Sequence, residues 1–172
     1  QGGCIARTRR LHEHRTGLER LPEEGACLGG NPCGPCERVA LELPVGGTGA
    51  PDHVAMIDGS TCNGTVSSGC GNTPPMVQVG NNPTEIAIDQ TTRTVYVGSQ
   101  GSAKISVINA ATCNATNQAG CAPTPLPALA SGVFPFGIGI DVNTHTLYVP
   151  SQDANNVWVL DASKCNATHT SG

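Results

Sequence analysis

A cysteine spacing recurs along this chain and limits the fold more than any other feature. Cys62 and Cys70 bracket a C-N-x-T-x4-C segment that returns 51 residues later at Cys113 and Cys121. A third copy opens at Cys165-Asn166-Ala167-Thr168, 52 residues after the second, and its second cysteine would fall at position 173. Self-similarity at such a period marks a repeat architecture, in which each unit buries its apolar face only against its neighbours. Cys165, with its partner missing from the spacing, makes this chain an expected fragment of a longer array.

The repetition extends beyond the cysteines. Pro83-Thr84-Glu85-Ile86-Ala87-Ile88-Asp89 aligns with Pro135-Phe136-Gly137-Ile138-Gly139-Ile140-Asp141, and Thr94-Val95-Tyr96-Val97 with Thr146-Leu147-Tyr148-Val149. Ile105-Ser106-Val107-Ile108-Asn109 aligns with Val157-Trp158-Val159-Leu160-Asp161. Met76-Val77-Gln78-Val79-Gly80 has a weaker counterpart in Ala128-Leu129-Ala130-Ser131-Gly132, and the earliest copy survives as Val54-Ala55-Met56-Ile57-Asp58. These short runs, rich in Val, Ile and Tyr and bounded by Gly, Pro, Asn and Asp, predict strands. None has the length or period of an amphipathic helix. The Asp89 and Asp141 turns are expected to close hairpins, because a side-chain carboxylate there can accept from N–H groups two or three residues on.

Four antiparallel strands per repeat of about 50 residues fit a blade of a β-propeller, whose complete forms carry about 4–8 blades. Stacked blades cover both faces of each strand, which explains why Val95-Tyr96-Val97 and Val157-Trp158-Val159-Leu160 show no solvent face. The expected fold class is therefore all-β: a β-propeller fragment of four-stranded antiparallel blades, about two of them plus a leading partial blade, over residues 53–172. The ordered motifs Gly80-Asn81-Asn82-Pro83, Ile88-Asp89, Thr94-Val95-Tyr96-Val97 and Ile105-Ser106-Val107-Ile108 resemble the YVTN-type (YncE-like) β-propeller repeat of bacterial secreted and surface proteins. The resemblance covers about residues 54–172, with Tyr-Val-Gly-Ser and Tyr-Val-Pro-Ser standing where that family has Tyr-Val-Thr-Asn. It implies a seven-bladed ring of roughly 360 residues, so the remaining blades of a full-length chain are expected partners of this one.

From His53 onward three basic residues (Arg93, Lys104, Lys164) face six acidic ones, a balance that argues against nucleic acid and anionic membrane surfaces. No apolar run approaches the roughly 20 residues of a membrane span. The C-x7-C pairs lie in Gly-, Ser-, Thr- and Asn-rich segments without metal-ligand spacing, and they predict disulfides Cys62–Cys70 and Cys113–Cys121. Polar surroundings disfavour the alternative of buried thiols. Such bonds persist in oxidising compartments, so secretion or surface display is expected. Asn63, Asn114 and Asn166 are formal glycosylation acceptors, but they belong to the repeated loop, and a bacterial source would leave them bare.

Residues 1–52 differ. They hold six of the nine basic residues, all Arg, with Cys4, Cys27, Cys33 and Cys36, and they contain none of the repeat's strand motifs. A short helix over Leu11–Leu21 has too few apolar residues to bury much. The Arg, Gly, Cys and Pro bias resembles a GC-rich coding region read out of frame; otherwise the segment is expected to be disordered. Cys33-Gly34-Pro35-Cys36 matches the thioredoxin redox motif but lacks the preceding strand and following helix. A zinc site from Cys27, Cys33, Cys36 and His12 or His14 lacks a second properly spaced pair.

Functionally, the chain is expected to be a non-catalytic binding or scaffolding module for a protein or small-molecule ligand, with no cofactor and no metal. If strands A to D run outward in each blade, the D–A and B–C connections share one end. That end offers Asn81, Asn82, Val133, Phe134, Ser99, Gln100, Ser151, Gln152 and Asp153, with Glu85 nearby as an acid outside the repeat scaffold. The cysteine loops then share the opposite end with the Asp89 and Asp141 turns. The alternative is a lactonase-type propeller hydrolase, whose converging groups would lie mostly in other blades. His145 and His169 are further titratable residues, and neither a phosphate loop nor a nucleophile elbow is present.

Overall fold

The computed structural model describes residues 52–121, 134–152 and 154–169, together with strand backbones at 7–10, 38–41 and 124–125. These residues are all-β apart from one 3-10 turn, Gln100–Ser102. The strands are β1 (Arg7–Arg10), β2 (Arg38–Leu41), β3 (His53–Ile57), β4 (Met76–Gln78), β5 (Pro83–Asp89) and β6 (Thr94–Ser99). They continue with β7 (Lys104–Asn109), β8 (Thr124–Pro125), β9 (Gly139–Asp141), β10 (Thr146–Ser151) and β11 (Asn156–Asp161).

Three antiparallel sheets result: an amino-terminal sheet β2-β3-β4, a central sheet β5-β6-β7-β8, and a carboxy-terminal sheet β1-β11-β10-β9. The central and carboxy-terminal registers repeat each other. Tyr96 stands opposite Ala87 and Val107, while Tyr148 stands opposite Gly139 and Val159. The amino-terminal segment contributes β1, paired with β11, and β2, paired with β3, although it carries none of the repeat motifs. The fourth strand of the central sheet forms at Thr124–Pro125; Ala128–Gly132 lies outside the described residues. So do Leu11–Leu21, Cys33–Cys36 and the proposed zinc ligands.

Side chains alternate across a strand, and the central sheet uses both faces. Ile88, Val95, Val97, Ile108 and Ala110 pack with Val54, Met56, Val77 and Val79 of the amino-terminal sheet. Ala87, Tyr96, Ile105 and Val107 pack with Leu147, Val149, Leu160 and Ala162 of the carboxy-terminal sheet. Hence every residue of β6 is buried. In β10 burial alternates instead: Leu147, Val149 and Ser151 are buried, while Tyr148 and Pro150 are exposed.

Strands β3, β5, β7, β9 and β11 each end in a side-chain-closed turn. Asp58, Asp89, Asn109, Asp141 and Asp161 each accept, through Oδ1, the N–H two residues on. In the hairpin after β5, Arg93 takes the left-handed region (φ 51°), and His145 repeats it after β9 (φ 50°). The cysteine loops are equally regular. A Cβ at Gly69 would fall on the Thr61 side chain, and one at Gly120 on that of Thr112. The glycine before each second cysteine is therefore a close-approach requirement.

Candidate binding surfaces

The loop whose spacing defines the repeat is organised by its asparagine. Asn63 Oδ1 accepts from the Thr65 N–H and hydroxyl and the Val66 N–H, and its Nδ2 donates to the Gly59 carbonyl. Asn114 makes the same set with Thr116, Asn117 and Ala110. Asn166 makes it again with Thr168, His169 and Ala162. The N-x-T triplet is thus a fold element, and each carboxamide nitrogen already donates to a backbone carbonyl. Cys62–Cys70 and Cys113–Cys121 are bonded, with Cα–Cα distances of 4.7 and 4.6 Å, inside the range of about 4.4–6.8 Å usual for disulfides. These bonds call for an oxidising environment. Cys165, for which the spacing provides no partner, is itself disulfide-bonded.

At the end of the sheets away from these loops, the connection before β5 meets the one after β6. Gln100 N–H donates to the Asn82 carbonyl at 2.9 Å, and Gly101 N–H to that of Asn81 at 3.0 Å. Asn82 Nδ2 donates to Gln100 Oε1 at 3.2 Å, and Gln100 Nε2 to Gln152 Oε1 at 3.3 Å. Three carboxamides therefore form a row across two sheets. Gln152 N–H donates to the Phe134 carbonyl and Phe136 N–H to that of Pro150, so the segment carrying two exposed rings pairs with the strand that ends in the row: Phe134 is 36% exposed and Phe136 56%. Asn81 is exposed as well.

Other expected surface residues lie elsewhere. Ser99 and Ser151 are buried, and their hydroxyls, like that of Ser102, have no hydrogen-bond partner. Val133 and Asp153 lie outside the described residues. Glu85 is half-buried on β5 opposite Gly98, and burial raises its carboxyl above the ordinary value of 4.5. A carboxyl shifted by desolvation is a candidate functional group. Among the described residues, however, no three His, Cys, Asp or Glu side chains come together to hold a metal. His145 belongs to the other end, where its Nδ1 lies 3.4 Å from Asp89 Oδ2.

Two features escaped the sequence. Phe136 aligns with Thr84, so nothing in the repeat marks it as an exposed ring. A cleft of about 600 Å³ opens beside the first cysteine loop, lined by Met56, Asp58, Cys62, Cys70, Pro75 and, from the second loop, Gln118. Asp58, one of the lining residues, has its carboxyl held below the ordinary value by hydrogen bonds from Ser60. Such a cleft forms only when consecutive repeats stack, and its walls come from segments about 50 residues apart. Among the described residues, no helix is long and apolar enough to cross a membrane. No family model and no curated protein matches the chain.

Proposed function

We propose that this chain is a secreted or surface-displayed β-propeller repeat module of the YVTN type. On this reading it binds a neutral, polar ligand at the end bearing Asn81, Asn82, Gln100, Gln152 and the two phenylalanines. The single observation that carries it is the carboxamide row, joined through the Gln152–Phe134 backbone bond to a segment with two exposed phenylalanines. Amides donate and accept, and ring faces pack on apolar edges, which together suit an uncharged ligand or a peptide backbone. Three sheets stacked face to face, with closely matching repeat registers in two of them, support the ring reading. The disulfides support export. Under the same reading further sheets complete the ring, as the resemblance implies.

The test is retention of the oxidised protein on immobilised cell-envelope polysaccharide and on envelope protein. Retention lost in a Phe134→Ala, Phe136→Ala, Gln152→Ala triple variant supports binding at this end; retention unchanged by it counts against this site. The lactonase-type reading keeps one specific observation, the raised Glu85 carboxyl. Hydrolysis of a lactone panel that disappears in Glu85→Gln would favour it over the binding module.

A further inference from the structure

The turns that follow β3 and β11 hold their carboxylates in the same way. In Asp58-Gly59-Ser60-Thr61, Asp58 Oδ1 accepts from the Ser60 N–H at 2.8 Å and from the Ser60 hydroxyl at 2.6 Å. In Asp161-Ala162-Ser163-Lys164, Asp161 Oδ1 accepts from the Ser163 N–H at 3.0 Å and from the Ser163 hydroxyl. Each arrangement leaves Oδ2 for another partner. In the third repeat that partner is internal, with Lys164 Nζ 2.9 Å from Asp161 Oδ2. In the first repeat Thr61 stands where the third has Lys164, and Asp58 has no ion pair among the described residues.

The position that lacks the lysine borders a cleft. Asp58 and Thr61 both line the cavity of about 600 Å³ beside the first cysteine loop, a volume within the roughly 300–1,000 Å³ usual for small-molecule sites. Its walls include the half-buried Ile57, Pro74 and Pro75, the Cys62–Cys70 disulfide and, from the second loop, Gln118. No Lys, Arg or His lines it, and Asp58 is the one charged residue that does. With its carboxyl held below the ordinary value, Asp58 is anionic at neutral pH. The second repeat has Asn109 at this place. Of the three copies, only the first combines the carboxylate with no lysine of its own.

We propose that this cleft binds an alkylammonium ion, its ammonium on Asp58 Oδ2 as Lys164 Nζ is on Asp161 Oδ2, and its alkyl stem against Ile57, Pro74 and Pro75. The third repeat is the internal precedent for the polar half of the contact. An exposed ion pair alone contributes little. The cleft adds apolar contact along the stem, which favours a cation that carries one over an inorganic ion. The Gln118 carboxamide offers a further acceptor for an ammonium proton. This site lies at the end of the sheets away from the carboxamide row, and it stands whether or not that row binds a ligand.

An NMR titration of the oxidised 172-residue chain with n-hexylammonium chloride tests this. Saturable shifts are expected at the amides of Ile57, Asp58, Cys70 and Gln118, with a Kd of about 1 mM. The neutral n-hexanol keeps the stem without the charge and should bind at least about tenfold more weakly. Asp58→Asn recreates the turn of the second repeat, where Asn109 Oδ1 accepts the Ala111 N–H, so the fold should hold while the Kd rises about tenfold or more. Thr61→Lys keeps the carboxylate, supplies the internal cation of the third repeat, and should weaken binding by a similar factor. Equal binding of n-hexanol, a Kd unchanged in Asp58→Asn or in Thr61→Lys, or shifts centred on the Asp141 turn would each overturn the proposal.

Discussion

At the scale of single residues, the recurring C-N-x-T motif is explained by valence. One asparagine carboxamide satisfies three donors and one carbonyl in a loop that packs little, and it does so three times in this chain. Replacing Asn114 by Ala leaves the Thr116 and Asn117 N–H groups and the Ala110 carbonyl to water or to nothing. The expected cost is about 1–2 kcal/mol in urea denaturation. Asn114→Asp keeps the acceptor and loses the donor, and should cost less. Asp89 makes a second prediction. Burial pushes its carboxyl up, but hydrogen bonds from Thr91, Thr92 and His145 outweigh that and hold it below 3.8. A depressed carboxyl contributes stability above its unfolded value that is lost as pH falls through the folded one. The wild type should therefore weaken as pH drops below about 4, and Asp89→Asn should flatten that limb while lowering stability at neutral pH; parallel acid limbs would contradict the assignment. The Asp89 turn was legible in the sequence because an Asx turn is a local event. The contact with His145 was not, since it joins residues 56 apart across two sheets.

At the scale of elements, legibility followed periodicity. The strands at Pro83–Asp89, Thr94–Ser99 and Lys104–Asn109 were marked by β-branched residues recurring at a fixed offset. β1 and β2 carry Arg-rich or mixed sequence and pair with β11 and β3 through ladder bonds, which any residue but proline can supply. The carboxamide row was half legible: its residues were nameable from loop position, yet their contact depends on how sheets stack. The central sheet's special place yields a packing prediction. Ile108 is fully buried between two sheets, so Ile108→Ala should cost about 2–5 kcal/mol. Val159, on the open face, should cost under about 1.5 kcal/mol as Ala. Similar losses at the two positions would mean that the face is covered in solution. The disulfide at Cys113–Cys121 closes a short loop, separation 8, and the chain-entropy relation gives about 2.5 kcal/mol for it. A Cys113→Ala, Cys121→Ala double variant should lose about that much, and thiol titration of the unfolded wild type should find neither cysteine free.

At the scale of the whole molecule, stability should be graded along the stack. In a repeat array, stability is approximately a sum of unit terms and nearest-neighbour interfaces. The central sheet has two such interfaces, with the buried clusters around Val95 and Tyr96, and the terminal sheets have one each among the described residues. Backbone hydrogen bonding alone would not separate them, because β6 and β10 are both paired on two sides. Hydrogen exchange distinguishes the two cases. If opening is governed by sheet-to-sheet burial, amides of β6 and β7 should exchange slowest, with β10 and β3 faster. Equal protection of β6 and β10 would show instead that the chain opens as one unit, with its two sheet-to-sheet interfaces failing together.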